Sequence, residues 1–254
     1  EREGELTFVD SIDAAVRDVD IVQENVPEML ELKKTILGQI EDSVDAATLI
    51  ASSTSGLKPS VLQADLRNPE RLVVGHPFNP VYLLPMVEVV GGESTSSESI
   101  SRAMALYNAA GMHPLHVRVE IDAFIADRLL EAVWREALWL VSDGVATTEE
   151  IDDVIRFGFG LRWSQMGLFE NYRIAGGEGG MAHFISQFGP TLSWPWSKLT
   201  DTPELTDTLT QRIGEQSDAQ SGHHTIDELE RIRDDNLVDI LLALEANQWG
   251  AGQT

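Results

Sequence analysis

The run Arg71-Leu72-Val73-Val74-Gly75-His76-Pro77-Phe78-Asn79-Pro80 brings a histidine to the end of a short apolar stretch. A carboxylate, Glu88, follows inside a second apolar run, Val87-Glu88-Val89. If both runs are strands, imidazole and carboxylate meet at neighbouring strand ends. That pairing is a general base with an anion to orient it. An unperturbed imidazole titrates near pH ~6.5, so it can accept an alcohol proton at neutral pH. Oxidation of a secondary alcohol by hydride removal needs such a base, because the hydroxyl proton must leave as the hydride does. A lone histidine at a strand end is more often structural, with the glutamate a surface residue.

The elements around the pair alternate. Apolar runs at Leu6–Val9, Ile21–Gln23, Thr48–Ala51, Leu72–Val74, Met86–Val90 and Leu115–Val119 read as strands. Helical patterns lie between them: Ser11 caps one to Asp18, Pro27 opens one to about Asp42, and Ser96–Ala110 ends at Gly111. Strand–helix alternation predicts an α/β unit with a parallel sheet over residues 1–118. From Phe124 the period becomes helical, with a wide apolar stripe through Leu129, Leu130, Val133, Trp134, Ala137, Leu138 and Val141. Thr147-Thr148-Glu149-Glu150 is a capping box, and Thr225–Ala246 is helical again. Residues 119–254 are therefore expected to form an all-helical domain.

Composition narrows the function classes. The 254 residues suffice for two modest domains. The net charge is −24, and four of the 18 basic residues are lysines, which argues against nucleic acid as a partner. That acidity fits either a solubilising surface or a salt-adapted host. Cysteine is absent, so disulfides and thiol chemistry are excluded and a cytoplasmic setting is expected. No apolar run reaches the ~20 residues of a membrane helix, and no signal-peptide pattern opens the sequence. No metal is expected. His113 and His116 would face opposite sides of a strand, and His223-His224 stands without nearby ligands.

The histidine motif, the Glu88 spacing and the hydroxyl-rich Ala51-Ser52-Ser53-Thr54-Ser55-Gly56-Leu57, in this order, resemble the 3-hydroxyacyl-CoA dehydrogenase superfamily. The resemblance implies a Rossmann-type NAD-binding domain followed by a helical domain that dimerises. It implies His76 as base, Glu88 as its partner and Ser55 as a hydrogen-bond donor to the substrate oxygen. Asn79 matches a position near the reacting centre on the cofactor side. Val22-Gln23-Glu24-Asn25-Val26-Pro27-Glu28 matches the segment approaching the nicotinamide ribose, so Glu28, Lys33 and Ser53 are implied cofactor contacts. Each has a plainer reading: Ser55 and Asn79 as turn residues, Glu28 and Lys33 as an ordinary charged helix face.

Two departures shift the expected substrate. The superfamily carries Pro-Gly-Phe-x-x-Asn-Arg after the last strand; here the stretch is Asp122-Ala123-Phe124-Ile125-Ala126-Asp127-Arg128. Asp127 in place of the amide disfavours an acyl-CoA thioester and suits a cationic substrate, unless it merely pairs with Arg128. Aromatics and arginines crowd Ile151–Trp196, including Phe159, Trp163, Phe169, Tyr172, Trp194 and Trp196. With Ser217–Gly222 they resemble the carnitine-oxidising branch, whose substrate carries a quaternary ammonium that ring faces bind. Asp127, Phe169, Tyr172 and Trp196 are the implied L-carnitine contacts; the plainer reading puts most of these rings in a core or dimer interface. A dehydrogenase for 3-hydroxyacyl-CoA or another small 3-hydroxy acid is the nearest alternative. A third reading is an incomplete unit that keeps only dimerisation or ligand binding. It arises because no G-x-G-x-x-G turn is present to cradle a pyrophosphate. Gly176-Gly177-Glu178-Gly179-Gly180 follows no strand and reads as a loop. Roughly 70–80 residues are expected to precede this sequence in a longer protein, on ~30 residues per βαβ unit. The chain alone is then expected to bind NAD weakly.

Overall fold

The computed structural model describes residues 4–164, 167–176, 180–190, 204, 206–209, 211–212, 215, 223, 225–248 and 252. The chain divides into two compact units, Glu1–Arg128 and Leu129–Gln253.

The first unit is built on a mostly parallel sheet in the order β1 (Ile21–Glu24), β2 (Leu49–Ser52), β3 (Leu72–Pro77), β4 (Met86–Gly91), β5 (His113–Val117). The β1–β2, β2–β3 and β4–β5 pairs are parallel, whereas β3–β4 is antiparallel. The sheet is thus mostly parallel, as expected, with one antiparallel step. A parallel partner needs a crossover of a dozen or more residues, and the link from Pro77 to Met86 is too short for one.

Side-chain alternation assigns two faces. Ile50, Leu72, Val74 and Val90 pack with Leu37 and Ile40 of α2 (Leu30–Ser43) and Leu62 of α3 (Pro59–Gln63). Leu49, Ala51, Val73, Val87 and Val89 pack with Ala103 and Tyr107 of α4 (Ser97–Ala109). Coverage on both faces is why these strands read as continuous apolar runs. Each fully buried Leu, Ile or Val among them contributes about 1.5–3 kcal/mol.

Ser11 caps a short helix, α1 (Ile12–Ala15), by accepting from the Ala14 N–H. Three expectations change. Leu6–Val9 forms no strand; Leu6 and Phe8 are exposed, with no ladder among the described residues to hold them. Pro27 does not open α2, because the Met29 N–H bonds the Pro27 carbonyl in a turn and the helix starts at Leu30. The last strand begins at His113, where pairing with Met86 starts, not at Leu115.

In the second unit every ordered element among the described residues is helical. α5 (Ala126–Ser142) starts in the first unit and carries the apolar stripe; along it Leu129, Leu130 and Trp134 are exposed and only Val141 is buried. α6 (Thr148–Val154) has the expected capping box between Thr147 and Glu150. A π turn, Ile155–Phe159, leads into α7 (Gly160–Trp163), with Gly158 off helical geometry at φ −111°, ψ −117°. α8 (Leu168–Ala175), α9 (Gly180–Phe188) and α10 (Ile226–Ala246) follow. No helix among the described residues is long and apolar enough to cross a membrane.

Candidate active site

The sheet register sets His76 directly opposite Glu88 across the β3–β4 ladder. Opposed residues of an antiparallel pair share a face, so both side chains meet on the side covered by α2 and α3. His76 Nδ1 lies 3.0 Å from Glu88 Oε2, with both side chains buried. An ionised carboxylate only accepts hydrogen bonds, so it fixes the imidazole proton on Nδ1 and leaves Nε2 as the basic lone pair. The other carboxylate oxygen, Oε1, accepts the peptide N–H groups of Ile125 (3.0 Å) and Ala126 (3.2 Å) at the start of α5. Glu88 therefore has three donors around it, which is what a fully buried anion requires. Phe78 and Phe124 flank the imidazole, with ring centroids 5.4 and 5.6 Å away.

A second polar group lies on the same sheet face, at the carboxyl ends of β1 and β2. Lys33, almost wholly buried, donates to both oxygens of Glu24 (3.0 and 3.2 Å) and to the Val26 carbonyl (2.9 Å). Ser52 donates to Glu24 Oε2 at 2.5 Å. Lys33 also stands 3.5 Å from Glu28 Oε2. Glu28 is the exposed member; its Oε1 accepts from the Thr54 hydroxyl and the Gly56 N–H. Partial burial works against its ionisation. The bonds from Thr54 and Gly56, with Lys33 beside them, outweigh this and hold the carboxyl below its ordinary range. The structure thus joins Glu28 to Lys33 but gives them different places. Glu28 faces solvent as an acceptor, while the Lys33 ammonium is enclosed and acts on the rim through Glu28.

Ser53 lies on the opposite side. Its hydroxyl accepts from Gln23 Nε2 (2.6 Å) and donates to Asn25 Oδ1 (2.6 Å). Gln23 also donates to the Gly75 carbonyl (2.9 Å) and accepts from the Tyr107 hydroxyl. Burial pushes the Tyr107 phenol well above its ordinary range, against the Gln23 bond, so it stays a neutral donor. These groups line a cleft of about 690 Å³ with Ile21, Val87 and Met112 along its apolar wall. Ser53 therefore makes no contact with Glu28 or Lys33.

Ser55 and Asn79 are exposed, and neither side chain has a partner among the described residues. Ser55 follows β2 as His76 closes β3, so both stand at the carboxyl ends of neighbouring parallel strands. Asp127 is half-buried in the first turn of α5 and does not pair with Arg128. In the second unit Phe169 is 70% exposed. Tyr172, one turn on, stacks against Phe184 at 4.6 Å, which leaves one ring face for anything else. Phe159 and Trp163 pack together at 4.5 Å. Trp194, Trp196, Gly177–Gly179 and Ser217–Gly222 lie outside the described residues.

Sequence reasoning missed Glu24, Thr54, Gln23 and Tyr107. The signal for Glu24 and Gln23 was strand parity. Val22 and Glu24 face one way and Ile21 and Gln23 the other, so polar groups in a buried strand had to find partners on both faces.

An acidic rim at the carboxyl ends of parallel strands is the place where open α/β sheets take ligands. The exposed Glu28 carboxylate is an acceptor that suits donor hydroxyls such as those of a ribose. Among the described residues no cluster of three or more His, Asp or Glu is arranged to hold a metal ion.

Comparison with known proteins identifies the family. Residues 1–121 match the NAD binding domain of 3-hydroxyacyl-CoA dehydrogenase, and residues 124–215 its C-terminal domain. A Ruegeria pomeroyi protein named L-carnitine dehydrogenase/betainyl-CoA thioesterase is 60% identical over 250 residues, covering 98% of this chain and 51% of the relative. A Mesorhizobium japonicum L-carnitine dehydrogenase is 56% identical over 256 residues, covering 99% of this chain and 70% of the relative. The chain thus spans about half the length of the two-activity relatives. Among solved structures, an NAD+-dependent 5-formyl-3-hydroxy-2-methylpyridine 4-carboxylic acid 5-dehydrogenase superposes with a TM-score of 0.74 at 27% identity. That match covers 94% of this chain and 76% of the neighbour. A (S)-3-hydroxybutyryl-CoA dehydrogenase from Ralstonia eutropha gives 0.54 at 33% identity, covering 57% of this chain and 51% of the neighbour.

Proposed function

This chain belongs to the 3-hydroxyacyl-CoA dehydrogenase family, and on that premise we propose that it serves the NAD-dependent oxidation of L-carnitine to 3-dehydrocarnitine. The observation that carries the substrate is 55–60% identity, over nearly the whole chain, to proteins named for L-carnitine dehydrogenation.

His76 Nε2 takes the proton of the C3 hydroxyl, and Glu88 stabilises the imidazolium that forms. Ser55 hydrogen-bonds the reacting oxygen. Glu28 accepts from a ribose hydroxyl and Lys33 keeps Glu28 ionised. Asn79 completes the nicotinamide side, while Ser53, on the opposite sheet face, holds Gln23 and Asn25. When bound, NAD supplies the hydride acceptor. Asp127 draws the cationic substrate, and Phe169, Tyr172 and Trp196 offer ring faces to the trimethylammonium group, which cannot donate a hydrogen bond. The exposed stripe of Leu129, Leu130, Val133 and Trp134 supports a homodimer through the helical unit.

NADH formation with L-carnitine, set beside 3-hydroxybutyryl-CoA, tests the reading in a protein that includes this chain. Turnover with carnitine, lost by ~10²–10⁴ in His76→Ala, is expected. Oxidation of the thioester alone, or wild-type turnover in His76→Ala, overturns it.

A further inference from the structure

We propose that the turn Asp122–Ile125 is a positioning device for the His76–Glu88 pair, acting through the Phe124 ring and the two peptide N–H groups that follow it. Its catalytic meaning rests on the reading of His76 as the base.

Two successive residues of this turn are left-handed: Ala123 at φ 60° and Phe124 at φ 47°. Neither is glycine, and a bulky residue there is held only where its surroundings over-determine it. Those surroundings are visible. The Phe124 N–H bonds the Ile121 carbonyl at 3.4 Å, closing the turn. Just before it, Glu120 Oε2 accepts the Ser60 N–H at 3.0 Å, and Asp122 lies 3.2 Å from Lys58 Nζ. The Phe124 ring is fully buried in one cluster with Val74, Val90 and Val117, and the His76 imidazole is tilted 52° to it at 5.6 Å between centroids.

The turn delivers two donors to one oxygen. The Ile125 and Ala126 N–H groups both point at Glu88 Oε1, while Oε2 faces His76. A carboxylate pinned through one oxygen by two charge-assisted bonds cannot rotate its other oxygen away from the imidazole. The ring closes a side of that imidazole to water. The positioning groups are thus backbone atoms and an apolar side chain, neither of which carries a catalytic residue type.

The test compares Ala123→Val with Ala123→Gly. Valine is branched at Cβ and resists the left-handed region, whereas glycine adopts it freely. Two readouts are taken: amide-proton NMR of Ile125 and Ala126, and kcat with KM for L-carnitine and NAD. In Ala123→Gly both amides keep their downfield, slowly exchanging signals and kcat stays within twofold. In Ala123→Val both amides exchange at least tenfold faster, and kcat falls at least tenfold while KM for NAD stays within twofold. Loss of the amide bonds with kcat unchanged overturns the proposal, and so does retention of the bonds in the valine variant. Should the valine variant not fold, Phe124→Leu takes its place, with kcat expected to fall at unchanged KM; unchanged kcat overturns the proposal. If the wild type oxidises no carnitine, the proposed function fails, and the amide readout still decides whether the turn holds Glu88.

Discussion

Glu88 offers two substitutions that separate its structural and chemical work. Glu88→Ala removes an acceptor shared by the buried imidazole and two part-buried peptide donors. Two of these, the Ile125 and Ala126 amides, are backbone groups at the start of α5. Each orphaned amide costs about 1–3 kcal/mol, so the variant should lose about 2–6 kcal/mol. Glu88→Gln keeps the shape and a carbonyl oxygen. If that oxygen faces the two amides, the variant loses only charge assistance, about 1–2 kcal/mol. The side-chain NH2 then faces His76 and can only donate. Nδ1 must become the acceptor, the proton moves to Nε2, and the base is blocked. The flipped amide is worse, since it sets an NH2 against two peptide donors. Turnover should therefore fall by about 10²–10⁴ in Glu88→Gln, although most of the stability survives. The assays are thermal unfolding by circular dichroism, NADH formation, and ¹⁵N NMR of the His76 ring. The ring spectrum should show the proton on Nδ1 in the wild type and on Nε2 in Glu88→Gln. Equal destabilisation by both variants, or an unchanged tautomer in Glu88→Gln, would refute the reasoning.

Three further outcomes are expected. A Cβ at Gly75 would lie 1.9 Å from the Tyr107 hydroxyl and 2.7 Å from its Cζ, so Gly75→Ala should cost about 1–3 kcal/mol. Tyr107→Phe should recover part of that cost in a double-mutant cycle, and additive losses would show that the two do not press on each other. Glu41 accepts the N–H groups of Arg67 (2.9 Å) and Asn68 (2.7 Å); burial opposes its ionisation, but these bonds hold its carboxyl below the ordinary range. A folded value below the unfolded one means its stabilisation is present above the ordinary carboxylate range and fades as pH falls through the folded value. Glu41→Gln should thus cost about 1–2 kcal/mol at pH 7, and urea unfolding should show the gap to wild type closing in acid; a gap that persists at about pH 3 would contradict this sign. Phe169→Ala or Tyr172→Ala should raise KM for L-carnitine by up to about thirtyfold and leave that for NAD alone. Asp127→Asn should reduce the preference for carnitine over uncharged 3-hydroxy acids. Wild-type KM in all three variants would move ammonium recognition elsewhere.

How much of this was legible in the sequence depends on whether the cause is local. The β3 and β4 runs were readable because both faces of the sheet are covered, so every position had to be apolar except the two that pair. Even the antiparallel step was implicit in the short link from Pro77 to Met86, which leaves no room for a crossover. Leu6–Val9 failed for the opposite reason. Its alternation suits a strand, but a strand is made by its neighbour, and the described residues supply none.

Within the site, side-chain chemistry was visible and backbone chemistry was not. His76 and Glu88 announce themselves as residue types. The peptide groups of Ile125 and Ala126 do not, and neither does a phenylalanine whose importance lies in a left-handed φ. Yet a local trace existed. A turn with its third residue at positive φ favours Pro-Gly at its centre, and the superfamily pattern carries Pro-Gly where this chain has Asp122-Ala123. That pattern could be read as a demand for a backbone shape at 122–123, not as a signature of substrate. Ala123 meets the demand at the cost of a left-handed alanine. A left-handed conformation held against its own local preference is held by its surroundings, and among them here is the carboxylate beside His76, which accepts the next two peptide N–H groups.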